Sequence, residues 1–527
     1  MSIVSFQFLV FAVCVVLLYF IVPRKWQWIV LLTANIVFYA FSGKRYLIYV
    51  LITAAVTYWA AVKLEACSMI GTSLISVADS AELKKEIKGN ILSIRKTICG
   101  IAIVIGMGAW AVLKYSNFFI RNINRFLSLV GREPTLQKID WVLPLGISFY
   151  SFHAVGYLVD VYRGKYPAEK NFLKYFTFIT YFPHIIQGPF SRYDLLGESM
   201  LKEHRFSYER LCHGCARILW GVYKKLVVAD KLGIAVNTIF ADYKNYSGVH
   251  LIFAIFGYCV ELYADFSGYM DIVCGISNIL GIDLAENFKQ PYFARSVDEF
   301  WRRWHITLGK WFKDYVFYPV SMGKVGQKLG KWARKKWGAK MGKLLPGYFA
   351  LIFVWTATGL WHGASWTYIV WGYLNLLAIM LSMQLVDFNE NIKNKLHIKS
   401  ENWVWQVFAI VRTFILLCFF RFFAIANSLR EACSMLKHMF LNLSLNVLGN
   451  PMSFFVNMSL VEIYAVLLGG CLILVVDIFN EIGKWQKIKE NCPMIIRNLV
   501  FTFLVFTIML IAGGDNDLAG GFMYANF

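Results

Sequence analysis

Long apolar stretches separated by shorter polar segments run through the whole chain. A helix that crosses the hydrocarbon core of a bilayer needs about 20 mostly apolar residues. The pattern therefore predicts an all-α polytopic integral membrane protein with about 11–13 transmembrane helices. The stretches that predict these helices are 3–22, 28–41, 46–64, 97–116, 141–160, 211–234, 248–264, 266–282, 346–361, 364–386, 403–426, 459–477 and 495–513.

Two other apolar segments, 172–190 and 298–320, are interrupted by prolines or by many charged residues. Backbone that leaves the helix at membrane depth survives only where protein or a water-filled cavity satisfies its polar groups. We therefore interpret both segments as re-entrant or in-plane helices, and we expect them to border a central tunnel. Ionised side chains are costly at the bilayer centre, which further argues that 298–320 does not span the membrane.

The chain contains no internal repeat or low-complexity tract. We therefore expect a single integral membrane domain over 1–527. Its parts are N-terminal helices over 1–135, a core over 140–375 that contains the polar motifs, and C-terminal helices over 380–527.

The composition supports a membrane protein. Of the 527 residues, 58% are hydrophobic and only 16% are charged, whereas about a quarter of the residues of a soluble domain are charged. The net charge of +21 is typical of a membrane protein whose cytoplasmic loops are rich in lysine and arginine. No compact basic domain stands apart from the apolar stretches, so we expect no nucleic-acid partner.

Lysine and arginine also predict the topology, because cytoplasmic loops carry an excess of both. Loops 65–96 and 161–171 are basic and are predicted to be cytoplasmic. A third basic loop, 324–343, contains eight cations and no acidic residue. It could lie against anionic lipid, or it could attract the phosphates of coenzyme A or an acidic carrier protein. Both interpretations stay open.

Two histidines, His305 and His362, each follow a tryptophan, Trp304 or Trp361. Histidine exchanges protons near neutral pH, and acyl transfer to a hydroxyl needs a base for the acceptor proton. The alternative for His362 is a histidine hydrogen-bonded at a helix junction. Gly359 and Gly363 are expected to leave room for a thin substrate near the backbone.

The sequence from residue 140 to 375 resembles the membrane-bound O-acyltransferases, in particular the branch that acetylates bacterial polysaccharides. Trp361-His362-Gly363 is similar to a WHG-type motif of that family, and the six residues that end at His305 are similar to an FWxRWH-type motif. Further similar stretches are LPLGISFYSFHAVGYLVDVYRG from Leu143, YFPHIIQGP from Tyr181 and DFSGYMD from Asp265. After residue 380 the similarity is limited to Phe419-Phe420-Arg421 and the aromatic C-terminus.

The resemblance implies that His362 is catalytic, as a base or as a transient acyl carrier. It implies that His305 is the second functional histidine, with a role in substrate positioning or proton relay. Asp298, Arg302 and His305 would share one face of a helix, bordered by tryptophans. The residues expected to bind substrate are Trp301, Arg302, Trp304, Trp361, Asp265, Ser267, Asn287 and Gln187. For Asp265, a structural ion pair with Arg295, Arg302 or Arg303 is an equally good interpretation.

Several expectations about function follow from the resemblance. The protein would move an acyl group from a cytoplasmic thioester across the membrane for O-acetylation of an exported cell-surface polysaccharide. The acyl group is expected to be acetyl. Acetyl-CoA would be the donor substrate, with no bound cofactor and no metal. The location would be the inner (cytoplasmic) membrane of a bacterial cell, among its lipids. An extracytoplasmic acetyltransferase would be the partner protein and the polysaccharide the acceptor.

Two other functions stay open. Relatives that transfer D-alanine to lipoteichoic acid share these motifs and take their donor from a small acidic carrier protein. A membrane transporter without acyl chemistry would also explain interrupted helices and buried charges.

Overall fold

A computed structural model describes residues 3–43, 46–141, 144 and 146–512. These residues form α-helices, short 3-10 and π-helical segments and the loops between them, and contain no β-strand, apart from an isolated bridge between Phe288 and Trp304. The all-α class is confirmed. The α-helices are α1 (Phe6–Ile21), α2 (Gln27–Gly43), α3 (Leu47–Val77), α4 (Ala81–Leu129), α5 (Ile147–Tyr162), α6 (Phe172–Thr180), α7 (Glu198–Leu201), α8 (Tyr208–Tyr223), α9 (Asp230–Ala241), α10 (Gly248–Ile279), α11 (Val297–Arg303), α12 (Ile306–Phe312), α13 (Tyr318–Ser321), α14 (Lys324–His362), α15 (Trp366–Gln384), α16 (Val386–Lys395), α17 (Trp403–Ile425), α18 (Leu429–Leu441), α19 (Leu460–Glu481), α20 (Trp485–Asn491) and α21 (Met494–Ala512).

Eight of the described helices are long and apolar enough to cross a membrane, by length and composition: α3, α4, α10, α14, α15, α17, α19 and α21. The shorter helix α1 is also apolar. Large apolar side chains are exposed along these helices, Phe6, Trp403 and Ile495 among them. Such surfaces suit lipid rather than water. The prediction of a polytopic membrane protein is confirmed.

The predicted spans 248–264 and 266–282 form a single helix, α10, rather than two. The two predicted spans are separated at Asp265, but this carboxylate is buried and ion-paired, so the helix continues through it. The predicted spans 28–41 and 141–160 form α2 and α5, which are 17 and 16 residues long. Val142, the motif residues Leu143 and Leu145, and the aromatic C-terminus after residue 512 lie outside the described residues.

The predicted loop 65–96 is mostly helical. α3 reaches Val77 and α4 begins at Ala81, where the side chain of Ser80 accepts a hydrogen bond from the Leu83 amide. The 49 residues of α4 correspond to roughly 74 Å of helix, against about 30 Å for the hydrocarbon core of a bilayer. Its basic first turns therefore extend well past the apolar part of the helix.

The predicted basic loop 324–343 is also helical, as the first part of α14. The helix breaks at Gly338, whose φ of 87° is in the left-handed region. A Cβ atom added at Gly330 would lie 3.0 Å from the carbonyl oxygen of Gly342, so the two parts fold back on each other as a helical hairpin. We call residues 324–337 the basic arm.

The segment 298–320 is divided into short helices, as its charges suggested: α11, α12, a π-helical turn over Lys313–Phe317, and α13. The predicted shared helical face is wrong, because α11 ends at Arg303 and His305 has a left-handed conformation with a φ of 48°. In the segment 172–190, α6 ends at Thr180 and turns follow. That these segments do not cross the membrane stays a prediction.

The chain forms two compact units. The first comprises Met1–Gly214 and Ile276–Ala285, and the second comprises Cys215–Gly275 and Glu286–Phe527. Gln187 lies in the first unit, whereas all the other residues predicted to form the site lie in the second. The single domain and the central tunnel stay predictions.

Candidate active site

His305 is held in its turn by Asn287. The Asn287 side-chain oxygen accepts hydrogen bonds from the backbone N–H and the hydroxyl of Thr307, at 3.0 and 2.8 Å. The Asn287 carbonyl accepts the Ile306 amide at 3.0 Å, and His305 Nδ1 lies 3.4 Å from the Asn287 side-chain oxygen. A non-glycine residue with positive φ persists only where its surroundings hold it. Asn287, predicted to bind substrate, therefore has a positioning role in this structure.

The His305 side chain is buried, with 2% of its surface exposed. Burial lowers the pKa of His305 to about 3, because the charged imidazolium loses its hydration. The ring is therefore neutral near pH 7 and is a weak base. This environment suits hydrogen bonding and positioning better than uptake of a proton.

Trp361 contacts both histidines. The centroid of its ring lies 5.8 Å from that of His305 and 4.9 Å from that of His362, with steep angles between the ring planes. Trp361 itself is only 2% exposed. The motif that ends at His305 and the motif that contains His362 are separated in the sequence, and they meet at the indole of Trp361.

His362 is the last residue of α14 and is also buried. Its ring packs edge-on against Trp371 at 5.0 Å and lies nearly parallel to Tyr368 at 6.3 Å. A Cβ atom at Gly363 would collide with the Tyr368 ring, and one at Gly359 would lie 2.7 Å from the Tyr368 carbonyl oxygen. The expectation that these glycines leave room for substrate is wrong, because they allow α14 and α15 to pack closely.

A narrow pocket opens beside His362. It has room for about one water molecule. Its lining residues are Tyr258, Leu262, His362, Tyr368, Trp371, Arg421 and Ala424. The sequence places Arg421 in the weak similarity at Phe419-Phe420-Arg421 and predicts no role for it, although an arginine late in an apolar span is a usable signal.

The motif that ends at His305 contains three other predicted site residues, Trp301, Arg302 and Trp304. The two tryptophans pack in the aromatic cluster around the histidines, and Arg302 does not. The Trp301 indole N–H donates to the Asn375 side-chain oxygen at 3.0 Å, and Trp304 is 1% exposed. Arg302 is ion-paired with Asp298, and 64% of its side chain is exposed. Arg302 thus lies on the surface of α11 while His305 is buried.

Residues 136–334 match the sequence model described as MBOAT, the membrane-bound O-acyltransferase family. A probable alginate O-acetylase from Azotobacter vinelandii is 32% identical over 356 residues, which are 67% of this chain and 63% of that protein. A teichoic acid D-alanyltransferase from Bacillus subtilis is 30% identical over 313 residues, which are 57% of this chain and 73% of that protein. The chain belongs to the membrane-bound O-acyltransferase family.

A third relative in this family is a peptidoglycan O-acetyltransferase from Helicobacter pylori, 27% identical over 383 residues, or 68% of this chain and 64% of that protein. The chain thus matches a little less than two thirds of the alginate and peptidoglycan relatives. The resemblance found in the motifs is confirmed. The matched residues of the family model include His305 but end before the motif that contains His362.

Asp265 and Ser267 are hydrogen-bonded to two buried lysines in the second unit. The Lys225 amino group lies 2.6 Å from an Asp265 carboxylate oxygen and 2.7 Å from one of Asp230. The Lys224 amino group donates to the Ser267 hydroxyl at 2.8 Å. Asp265 is therefore ion-paired, although its partner is Lys225 and not one of the predicted arginines. Substrate binding by Asp265 and Ser267 stays a prediction.

These lysines lie on a π-helical turn, Lys224–Ala229, after α8. A Cβ atom at Gly221 would lie 2.5 Å from the carbonyl oxygen of Gly268 in α10, so the two helices pack backbone against backbone. Lys224 also contacts Asp271 at 2.6 Å, and Arg217 lies 2.9 Å from the same carboxylate. The sequence does not predict which residues form this network, although two lysines within the apolar stretch 211–234 are a signal for buried ion pairs.

Gln187, in the first unit, is fully buried, and neither of its side-chain polar atoms has a hydrogen-bond partner among the described residues. The same holds for both ring nitrogens of His184. The His184 ring stacks on His153 with 4.4 Å between centroids and 4° between planes. Buried polar groups are normally satisfied by protein, water or ligand.

Proposed function

We propose that this protein is an O-acyltransferase of the inner (cytoplasmic) membrane of a bacterial cell. It moves an acetyl group from a cytoplasmic thioester across the membrane for O-acetylation of an exported cell-surface polysaccharide. The observation that carries this proposal is the pair of buried motif histidines on Trp361, one of which lines a pocket. The names of the alginate and peptidoglycan relatives support acetyl transfer to a saccharide.

In this proposal His362 is the general base. Its imidazole takes the proton of the acceptor hydroxyl as the hydroxyl oxygen attacks the thioester carbonyl carbon. The electron pair of the carbonyl double bond moves to the oxygen. When the tetrahedral intermediate collapses, the carbon–sulfur bond breaks and the thiolate takes the proton from the imidazolium. Packing against Trp361 and Trp371 keeps the ring in place for both proton transfers.

Covalent catalysis is a variant of the same proposal. A neutral His362 nitrogen would attack the thioester carbonyl carbon and expel the thiolate, so that the acyl group rests on the imidazole. The acceptor hydroxyl oxygen would then attack the acyl carbon, and the carbon–nitrogen bond would break. The hydroxyl proton would pass to the expelled thiolate, and the free histidine would be regenerated.

The donor and the partners belong to the proposal as well. Acetyl-CoA is the expected donor substrate, and its phosphates would be attracted by the exposed cations of the basic arm. An extracytoplasmic acetyltransferase would receive the acetyl group and pass it to the polysaccharide, with lipid surrounding the helices.

Transfer of D-alanine is the second candidate, because the match covers 73% of the teichoic acid D-alanyltransferase from Bacillus subtilis. Its donor would be a D-alanyl carrier protein and its acceptor lipoteichoic acid. A transporter without acyl chemistry is a weaker candidate, since transport gives no reason for two histidines to share one tryptophan.

The test supplies the purified protein in lipid nanodiscs with radiolabelled acetyl-CoA and, separately, with radiolabelled D-alanyl carrier protein. We expect release of coenzyme A from the first donor by wild-type protein, and not by His362→Gln. Turnover of the second donor alone would replace acetyl by D-alanyl transfer. Turnover of neither, with both donors shown to bind, would refute the proposal.

A further inference from the structure

The pocket beside His362 has an aromatic side and an aliphatic side. Tyr368 and Trp371 of α15 line it together with His362, and the aliphatic lining residues are Leu262 of α10 and Ala424 of α17. In the acyl transfer proposed above, the reacting carbonyl carbon lies next to His362. The pocket is therefore the space that the alkyl part of the acyl group would enter.

The aromatic side of the pocket is packed from behind. Trp371 is only 2% exposed, and the centroid of its ring lies 5.6 Å from that of Trp301. A Cβ atom added at Gly372 would lie 2.8 Å from the carbonyl oxygen of Trp355, so α15 packs directly on the backbone of α14. Because protein interiors are close-packed, the indole of Trp371 has no space into which it could withdraw to enlarge the pocket.

The aliphatic side lies where α10 and α17 are in direct contact. The sulfur atoms of Cys259 and Cys418 are 3.6 Å apart, and the hydroxyl of Tyr292 donates to the Cys259 carbonyl at 2.7 Å. Leu262 follows Cys259 by three residues on α10 and is 1% exposed. With the two helices in contact, the side chains of Leu262 and Ala424 determine how much space is left in the pocket.

The size and the charge of the pocket indicate which acyl group it fits. It has room for about one water molecule, which is comparable to the methyl group of an acetyl donor and too little for a longer chain. None of the described residues that line it is acidic. The ammonium group of a D-alanyl donor would find no counter-charge among them, and burying an unpaired charge is costly.

We infer that Leu262 and Ala424 are specificity-determining residues, which close the pocket behind the methyl group and restrict the donor to an uncharged two-carbon acyl group. This inference rests on the proposed function. The carbonyl carbon lies beside His362 during transfer, and the methyl group points between Leu262 and Ala424. Neither residue takes part in the proton transfers, so their substitution should change the choice of donor rather than the chemistry.

The test supplies the protein in lipid nanodiscs with acetyl-CoA, propionyl-CoA and butyryl-CoA and measures release of coenzyme A. One methylene in an apolar pocket changes kcat/KM by about 10–200-fold, so wild type should prefer acetyl-CoA to propionyl-CoA by that factor. Leu262→Val removes one methylene and should raise the propionyl-to-acetyl ratio by about 10-fold or more. Leu262→Ala should also admit butyryl-CoA. Ala424→Val fills the pocket and should lower kcat/KM for acetyl-CoA.

Matched controls come from the same two helices. Leu251→Val in α10 removes a methylene from a fully buried leucine that does not line the pocket, and Ala409→Val in α17 enlarges a buried alanine elsewhere. Both should keep the wild-type ratio between donors. A structural disturbance lowers turnover of all donors alike, whereas a change in the ratio requires contact with the acyl group. If Leu262→Ala does not fold, Leu262→Val and Ala424→Val carry the test.

The outcomes separate this inference from the proposed function. If wild type turns over acetyl-CoA and the pocket variants keep its ratio between donors, the pocket holds no acyl group, and the inference is overturned while the proposed function stands. Equal use of acetyl-CoA and propionyl-CoA by wild type would overturn it as well. Turnover of D-alanyl carrier protein alone would overturn both the acetyl assignment and the inference.

Discussion

The imidazole of His305 packs edge-on against the indole of Trp361, with 5.8 Å between the ring centroids. Trp361 also contacts His362, at 4.9 Å. The two histidines differ in position, because His362 lines the pocket whereas His305 is enclosed in a turn held by Asn287. This difference predicts different roles.

Substitution of His362 should affect turnover far more than folding. A general base typically contributes roughly 10²–10⁴-fold, so His362→Gln should lower kcat by that factor, because an amide can hydrogen-bond but cannot take up the proton. His305→Gln should be milder and act mainly through KM. Donor turnover, donor binding and melting temperature are measured for each variant. Near wild-type turnover by His362→Gln would exclude it as the base.

Burial of His305 predicts a pH dependence of stability. Its pKa is lowered to about 3 in the folded protein, against about 6.5 in an unfolded chain. Between these values the unfolded chain binds more protons, so this contribution to stability is present above pH ~6.5 and is lost as the pH falls towards 3.

The measurement compares melting temperatures at pH 7 and pH 5. The melting temperature of His305→Gln should fall less between these pH values than that of wild type. Substitution of the exposed His213 by glutamine is the control and should keep the wild-type slope. A wild-type slope in His305→Gln would show that His305 is not buried as a neutral ring.

The ion pair between Lys225 and Asp265 tests whether Asp265 is structural. Lys225→Met leaves a buried carboxylate without this cation, which should lower the free energy of unfolding by about 3–5 kcal/mol. Adding Asp265→Leu should restore much of that stability. The exposed pair Arg302 and Asp298 is the control, since Arg302→Met should cost at most about 1 kcal/mol.

The readouts are thermal stability and turnover. If the double variant Lys225→Met/Asp265→Leu is stable and active, the Asp265 carboxylate has a structural role and does not bind substrate. A stable but inactive double variant would instead support substrate binding by Asp265. A rise in KM in Arg302→Met would restore Arg302 to the substrate site.

The apolar pattern predicted helices well, because backbone N–H and C=O groups find no hydrogen-bond partner in lipid and bond to each other within a helix. It misjudged where helices end. α10 runs through Asp265 because a lysine on another segment neutralises the carboxylate, and α4 begins at Ala81 because Ser80 caps it. A charged residue in the sequence therefore does not by itself predict the end of a helix. A tertiary ion pair can neutralise the charge, and a capping side chain can determine where the helix begins.

The candidate site was predicted in part. His305 and His362 were predicted because each lies in a short motif beside a tryptophan; the structure brings both to Trp361, and their roles stay predictions. Arg421 belonged only to a weak similarity and had no predicted role, because its contacts with Trp304 and Trp371 join residues that are far apart in the sequence. Local patterns contain no information about such contacts.

The basic arm should influence recruitment of the donor. Lys331, Lys335 and Lys336 are exposed, and Lys336 lies over the rings of Trp332 and Trp337 at 5.4 and 5.5 Å. Cations near a donor entrance raise its encounter rate in a salt-sensitive way. Replacing the three lysines with glutamine should raise the KM for acetyl-CoA and weaken its dependence on salt.

The control for the arm removes equal charge elsewhere, by glutamine at Lys84, Lys85 and Lys88 of α4, which are also exposed. That variant should retain the wild-type salt profile. If both triple variants behave alike, the arm contributes only general charge or contacts with lipid.

Gln187 offers a test in which stability and activity should change in opposite directions. Its amide is fully buried, and neither polar atom has a partner among the described residues. Burying an unsatisfied polar group costs about 1–3 kcal/mol, so Gln187→Leu should leave the melting temperature unchanged or raise it. If the amide binds substrate, turnover should fall or KM should rise in the same variant.

Asn35→Leu is the contrast, because the Asn35 amide donates to the Thr177 carbonyl at 3.1 Å and should be needed for stability. A Gln187→Leu variant that is both stable and fully active would remove Gln187 from the site.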